Sequence, residues 1–293
     1  MGELEGEAVI VTGAGQGLGA AYSRAVAAAG APVVVNDINH AAAEAVAAEI
    51  RSAGGRAVAD PADIRNPEKA QALVERCITE FGFVSGLVNN AGLCERAPFA
   101  EATVEDLQRM LEVNVVGVFN CARAVIEPML RQGRGSIVNA ISGAHSGQQG
   151  LTSYGATKGA VASFTYGWAG ELRGKGIRVN AISPVAATPM AARTARTSAV
   201  LPPPAVNAPL VVYLLSNRAS DITGQVVRLN AGRLSLMTHP ANRAPVLVNE
   251  SWTVQSIAEA FDQKLAALQL PTDIATYEIA EIVTNTSRAG GPV

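Results

Sequence analysis

Charge and cysteine are both scarce in this sequence, and each shortage excludes a class of function. Only 16% of the 293 residues are charged, and 23 Lys and Arg against 25 Asp and Glu leave a formal net charge of -2. There is no basic field to collect nucleic acid and no run of like charge to serve an acidic or basic partner. The cysteines, Cys77, Cys94 and Cys121, are odd in number and form no C-x-x-C pair, which excludes a disulfide framework. The start, MGELEGE, lacks a basic then apolar signal segment, and together these features point to a reduced, cytoplasmic setting. His40, His145 and His239 keep no metal-ligand spacing with one another or with the cysteines, so no metal is expected. Nor is a membrane span: the longest uncharged stretch, residues 197–217, holds Pro202, Pro203, Pro204 and Pro209, which break a helix.

What is present is apolar residue in quantity, 48% of the chain, with a mean hydropathy of +0.20. That is enough for one large filled domain with an appendage. Short apolar runs at 8–12, 33–37, 56–59, 86–89, 136–141, 177–182 and 226–229 alternate with Ala-rich amphipathic stretches. The runs are apolar on both alternations, as parallel strands covered on both faces must be. The pattern predicts an α/β, doubly wound Rossmann-like fold, with a seven-stranded parallel sheet and helices on both faces over residues 1–233. Beyond Arg233 the alternation stops. Residues 234–293 form a C-terminal extension with two candidate helices, 253–268 and 272–283, too small to hold a secure core of its own and expected to pack on the main domain or a neighbouring subunit.

Directly after the first strand, Thr12–Gly19 reads T-G-A-G-Q-G-L-G and opens a helix. Glycines in that place permit a tight turn and let backbone N–H groups approach a pyrophosphate, whose charge the helix N-terminus favours. Gly13, Gln16, Gly17, Leu18 and Gly19 are therefore cofactor-binding candidates. Asp37 ends the second strand, where a carboxylate can accept hydrogen bonds from the adenosine ribose hydroxyls and would repel a 2′-phosphate. Neither Gln16 nor Ile38 supplies the cation that a phosphate needs, so NAD is favoured over NADP. The other reading of Asp37 is a cap for the helix starting near Ala41.

The run S-Y-G-A-T-K puts Tyr154 and Lys158 at i and i+4 on one helix face. A phenol has an ordinary pKa near ~10, and a neighbouring ammonium favours its ionised form. Tyr154 can then exchange a proton with a carbinol or carbonyl oxygen. His145, near Ser142, lacks a G-x-S-x-G elbow and reads as a loop histidine rather than half of a nucleophilic pair. Val161, Phe164 and Trp168 follow Tyr154 at helical spacing and read as core or subunit-interface residues.

Taken together, these motifs resemble the short-chain dehydrogenase/reductase family over some four fifths of the chain. T-G-x-x-x-G-x-G at Thr12–Gly19 is followed in order by N-N-A-G at Asn89–Gly92, Asn114, Ser142, Tyr154 and Lys158. The resemblance implies a catalytic tetrad. Ser142 would hold the substrate oxygen, Tyr154 would transfer the proton, Lys158 would bind the nicotinamide ribose and lower the tyrosine pKa, and Asn114 would hold a water through its carbonyl. It also implies that Asp63 and Ile64 receive the adenine, that Asn90 and Ala91 flank the ribose, and that Thr188 meets the carboxamide. Two spacings depart from the family pattern. Ser142 stands 12 positions before Tyr154, one fewer than usual, which makes Ser146 a competitor, and Ser142 is favoured because the run 136–141 reads as the strand that delivers it; Pro184-Val185 replaces Pro-Gly and sets Thr188 one position early.

The implied activity is an NAD-dependent oxidoreductase moving hydride between the nicotinamide and a secondary alcohol or ketone. The strand end V-V-V-N-D, the Pro-Val-Ala turn and the tail resemble the branch holding hydroxyacyl-CoA dehydrogenase domains of multifunctional β-oxidation enzymes. Steroid, cyclic alcohol and polyketide substrates fit as well, because residues 186–204, where the resemblance places the substrate lid, match no pattern. The expected partner is a small-molecule substrate, with assembly as a homodimer or homotetramer and the helix at 253–268 near the subunit boundary. The rival readings are a non-catalytic NAD sensor and an epimerase or dehydratase that returns the hydride.

Overall fold

The computed structural model describes residues 2–194, 200–230, 232–242 and 244–268. The chain divides into two compact units, Met1–Pro240 and Ala241–Val293.

In the first unit, strands β1 (Val9–Thr12), β2 (Val33–Asn36), β3 (Ala57–Asp60), β4 (Gly86–Asn89), β5 (Gly135–Ala140), β6 (Ile177–Pro184), β7 (Val226–Asn230) and β8 (Arg233–Met237) form one sheet. The strand order is β3-β2-β1-β4-β5-β6-β7-β8. Residue alternation explains why it is covered on both sides. Val9 and Val11 point into one apolar cluster with Val33, Val35 and Val88, while Ile10 points into the other with Val34 and Leu87. Helices α1 (Gly17–Ala28) and α2 (His40–Ser52) close the first cluster through Tyr22, Val26, Val46 and Ile50. Helix α3 (Pro67–Phe81) closes the second through Leu73, Val74 and Cys77.

Helix α4 (Val104–Leu111) runs through a π-helical turn, Glu112–Gly117, into α5 (Val118–Gln132). This run, Val104–Gln132, is long and apolar enough to cross a membrane by length and composition, and half of its most apolar window is buried inside the protein. It carries Cys121, Val125 and Met129 into the second cluster, which makes it a core helix. Helix α6 (Thr152–Glu171) follows β5, and its Val161 is fully buried. Phe164 and Trp168 stack at 4.8 Å on its outer side, with Phe119 of α5 close by and 45% exposed. After β6 come α7 (Pro189–Thr194) and α8 (Ala208–Leu215).

The sheet differs from the expectation in one respect: it has eight strands, not seven, and the last is antiparallel. Strand β8 returns beside β7, and Gly232 just before it has a φ of 85°, which suits glycine. The sequence signal is weak because Leu234 and Leu236 are both about two-thirds exposed, at 65% and 64%, on an edge strand. The sheet thereby extends past Arg233.

In the second unit, α9 (Val254–Ala260) starts at a Thr253 cap, with Ser256 returning the bond to the Thr253 N–H. Helical turns continue through Leu268, within the span expected at 253–268. Pro245, Leu247, Trp252, Ile257, Phe261 and Leu265 line a cavity of 370 Å³ there. The candidate helix at 272–283 lies outside the described residues, as do residues 195–199 of the segment expected to form a lid.

Strand order reverses between β1 and β4, since β1 has β2 on one side and β4 on the other. The crevice at the carboxyl ends of these strands is where doubly wound folds take ligands.

Candidate active site

The first half of the crevice is the glycine loop between β1 and α1. Gly13 and Gly17 sit at φ 61° and 57°, a region that excludes most side chains. A Cβ at Gly19 would lie 2.2 Å from the Gly13 carbonyl oxygen and 2.6 Å from Asn90 Nδ2. Gln16 is the N-cap of α1 and makes no side-chain capping bond, and the first turn holds no acid. The amide groups at this helix N-terminus thus lack a side-chain acceptor, which suits a pyrophosphate. Leu18 packs against the first apolar cluster.

Neighbouring strands hold the loop in place. Asp37, just past β2, accepts from the Gly15 N–H at 3.0 Å and the Asn39 N–H at 2.9 Å. The capping of α2 falls instead to Asn39, which accepts from the Ala42 N–H, so helix capping does not account for Asp37. Asn90 donates to the carbonyls of Thr12 and Gly13, both at 3.0 Å. The N–H groups of Asn90 and Ala91 both donate to the Thr12 hydroxyl at 3.1 Å. Thr12 is therefore the knot of this half, a role that sequence reasoning missed although the residue opens the motif. Thr188 faces the loop, 3.4 Å from where a Gly17 Cβ would stand, and its hydroxyl accepts from the Ala191 N–H at the start of α7.

Asp63 and Ile64 follow β3. The Asp63 carboxylate is bound by Arg65, with Nη2 at 2.6 Å, and that bond holds its pKa below the usual value. Ile64 is buried, and Asn120 donates to its carbonyl at 3.0 Å. Both residues therefore have protein partners of their own.

The second half is built from side chains of β5, α6 and the π-helical turn. Asn114, fully buried, accepts from the Leu93 N–H at 2.7 Å and donates to the Leu93 carbonyl at 2.8 Å and to the Thr157 hydroxyl at 2.9 Å. Thr157 donates in turn to the Tyr154 carbonyl at 2.8 Å. A π-turn inserts an extra residue into a helix and is frequent at functional sites; here it coincides with the asparagine. Thr157 was also missed, although its place three residues after Tyr154 puts both on one helix face.

Lys158 donates to the Ala140 carbonyl at the end of β5 at 2.7 Å, and its ammonium lies 5.7 Å from the Tyr154 ring centre. Burial pushes Lys158 down to about 8, with Cys94 pulling it slightly the other way. The Tyr154 phenol is not lowered by Lys158 as the resemblance implied but pushed well above its ordinary value by burial first and Cys94 second, and a hydrogen bond with Ser142 opposes that rise. Ser142 therefore meets the phenol, and the competitor Ser146 is exposed. His145 Nδ1 lies 2.6 Å from the Ser142 carbonyl oxygen, so its ring engages the backbone there. Among the described residues no group of His, Cys, Asp and Glu could hold a metal ion.

Around the phenol the wall is apolar: Cys94, Met110, Ala144 and Leu151 pack with Tyr154, and Leu93 and Met190 lie against them. The site thus sets a phenol and a buried amine in an apolar wall on the same side of the sheet as the glycine loop.

Comparisons with known proteins show the family. Residues 7–199 match the family model described as short chain dehydrogenase. A 3-alpha-(or 20-beta)-hydroxysteroid dehydrogenase of Mycobacterium tuberculosis is 39% identical over 248 residues, 81% of this chain and 93% of that protein. A cis-4-hydroxycyclohexanecarboxylate dehydrogenase of Sinomonas cyclohexanicum is 37% identical over 247 residues, 79% of this chain and 98% of its own. Among solved structures, a short chain dehydrogenase from Mycobacterium avium superposes with a TM-score of 0.84 at 31% identity, covering 93% of this chain and 99% of that one.

Proposed function

Because this chain belongs to the short chain dehydrogenase family of nicotinamide-dependent alcohol and ketone oxidoreductases, we propose that it transfers hydride between NAD and a secondary alcohol on an apolar carbocyclic frame. The observation that carries the reading is Tyr154, buried in an apolar wall with Ser142 bonded to its hydroxyl and Lys158 beneath its ring. A bound nicotinamide accepts or supplies the hydride. The chain's own residues do the rest. Ser142 orients the substrate oxygen, and Tyr154 takes its proton in oxidation or returns it in reduction. Lys158, held to the Ala140 carbonyl, would bind the ribose of the nicotinamide, and the Asn114–Thr157 pair fixes the first turn of α6.

Residue chemistry supports NAD over NADP. Asp37 brings a carboxylate to the edge of the glycine loop, and Gln16 and Ile38 beside it are uncharged, so a 2′-phosphate would meet a negative charge without a partner. The apolar wall and the hydroxysteroid and cyclohexane-type substrates in the names of two relatives support a carbocyclic substrate. We place the protein in the cytoplasm as a homodimer or homotetramer. The Phe119–Phe164–Trp168 cluster on the outer side of α5 and α6 and the half-exposed Trp252, Ile257 and Phe261 of the second unit supply apolar surface for such contacts.

Formation of NADH from NAD across a panel of cyclic secondary alcohols tests the reading. Net NADH formation supports oxidation. Cofactor binding without turnover of any alcohol would overturn it in favour of a sensor, and conversion of a substrate without net NADH would point to an epimerase or dehydratase.

A further inference from the structure

Arg96 stands on the segment that leads away from the apolar wall around Tyr154. Arg96 lies two residues beyond Cys94, in a segment fixed at both ends: Leu93 is clamped by Asn114, and the Ala97 N–H donates to the Gly150 carbonyl at 3.1 Å. Cys94 packs with Tyr154, so Arg96 begins only about 7 Å further along, given ~3.3 Å per residue of extended chain. A long side chain spans that distance. Arg96 Nη1 donates to the Gln149 carbonyl at 3.1 Å, which joins the segment after β4 to the one leading into α6. Gly150, at φ 72°, lets that second segment come close, since a Cβ there would stand 3.1 Å from Nη1.

The remaining edge of this guanidinium is unusual. Arg96 Nε is buried and has no hydrogen-bond partner. Among the described residues no carboxylate lies within ion-pair distance of it; the adjacent Glu95 is directed to Arg109 instead, at 3.9 Å. Buried donors are almost always satisfied, so an orphan N–H on a charged group beside a catalytic cleft calls for an acceptor from elsewhere. With Nη1 held by Gln149, Nη2 shares an edge with Nε, the edge that takes a carboxylate with two parallel bonds once the side chain turns to uncover Nε.

We propose that Arg96 is a specificity-determining residue that receives a carboxylate carried by the substrate, at the end of the apolar frame remote from the carbinol. The substrate class is then an alicyclic hydroxy acid. The inference rests on the alcohol-oxidation reading for the carbinol end alone.

The test compares 4-hydroxycyclohexanecarboxylate with its methyl ester, which share one carbinol and differ in charge. The unmodified protein is expected to favour the acid by ~10-fold or more in kcat/KM, through KM, because the charge-assisted pair is lost in the ester. Arg96→Met should raise the acid KM to that of the ester, and Arg96→Lys should recover part of the preference. Equal kinetics for acid and ester in the unmodified protein, or an equal loss for both in Arg96→Met, would overturn the proposal. Calorimetric binding of acid and ester to the NADH-saturated protein gives the same comparison without turnover. Preference for the acid that disappears in Arg96→Met, in a protein that forms no NADH from any alcohol, would retire the oxidation reading and leave the carboxylate site standing.

Discussion

Around β1, β2 and β4 the site is mostly backbone: glycines at positive φ, amide groups at the start of α1, neutral side chains such as Asn90 and Thr12 that tie strands together, and the Asp37 carboxylate on the Gly15 N–H. Around β5 and α6 it is made of ionisable side chains in an apolar wall, with Tyr154 pushed up and Lys158 pushed down by burial. The two regions therefore fail in different ways. Damage to the first is steric and indifferent to pH, whereas damage to the second is electrostatic and should show in proton-linked measurements.

The largest expected effect lies in the second region. Tyr154→Phe removes the proton carrier and leaves the glycine loop intact, so turnover should fall by ~10²-fold or more while NADH affinity stays within a few-fold. Stopped-flow turnover and fluorescence titration of NADH check this, and a comparable loss in both would show that the two regions are not separable.

Lys158 offers a test in stability. Its folded value near 8 lies below the ordinary 10.5, so between those values the unfolded chain binds more protons than the folded one and stability rises with pH. Below 8 the full penalty remains, roughly 3 kcal/mol from the size of the shift. Tyr154, whose folded value is raised, acts in the opposite direction above its ordinary 10.0. Cys77 and Cys121, whose thiols burial pushes from 9.0 up to about 12, likewise lower stability above pH 9, in the protein and in a Lys158 variant alike. Urea unfolding without cofactor should therefore show the stability of the unmodified protein relative to Lys158→Met climbing from pH 8 to 10. An unchanged slope in the variant would refute the assignment of the buried amine.

Gly19→Ala probes the first region. The new Cβ meets the Gly13 carbonyl oxygen at 2.2 Å, backbone that cannot turn aside, and the strain should cost roughly 1–3 kcal/mol. NADH affinity should fall with it, by the same factor at pH 7 and pH 9. A pH-dependent loss would break the contrast between the regions.

The smallest effect is cofactor choice. Asp37→Ala should narrow a preference for NAD of at least ~10-fold, about 1.4 kcal/mol. Calorimetry with both cofactors decides it, and equal affinities in the unmodified protein would remove Asp37 from the site.

Much of this could be read along the chain. Seven apolar runs became the seven parallel strands, because a strand buried on both faces must be apolar throughout. Strand β8 escaped because an edge strand with exposed leucines lacks that signature. Ser142 and Ser146 could not be separated by spacing alone; the 3-10 turn Gly143–Ser146 leaves Ser142 on the phenol and Ser146 in solvent. Arg96 carried no motif at all, and its significance lies in a partner 53 positions away.

By itself the sequence determined what depends on near neighbours: glycines where the backbone must take positive φ, and a tyrosine and a lysine one helical turn apart. Those follow from steric limits and from the helix period, which act over a few residues. Only the tertiary structure decided what depends on distant segments, such as the clamp of Asn114 on Leu93 across 21 positions, its bond to Thr157 across 43, and the desolvation that moves Tyr154 and Lys158. Burial and hydrogen-bond partners belong to the packed chain, because the groups that exclude water from a side chain come from elements that meet only on folding.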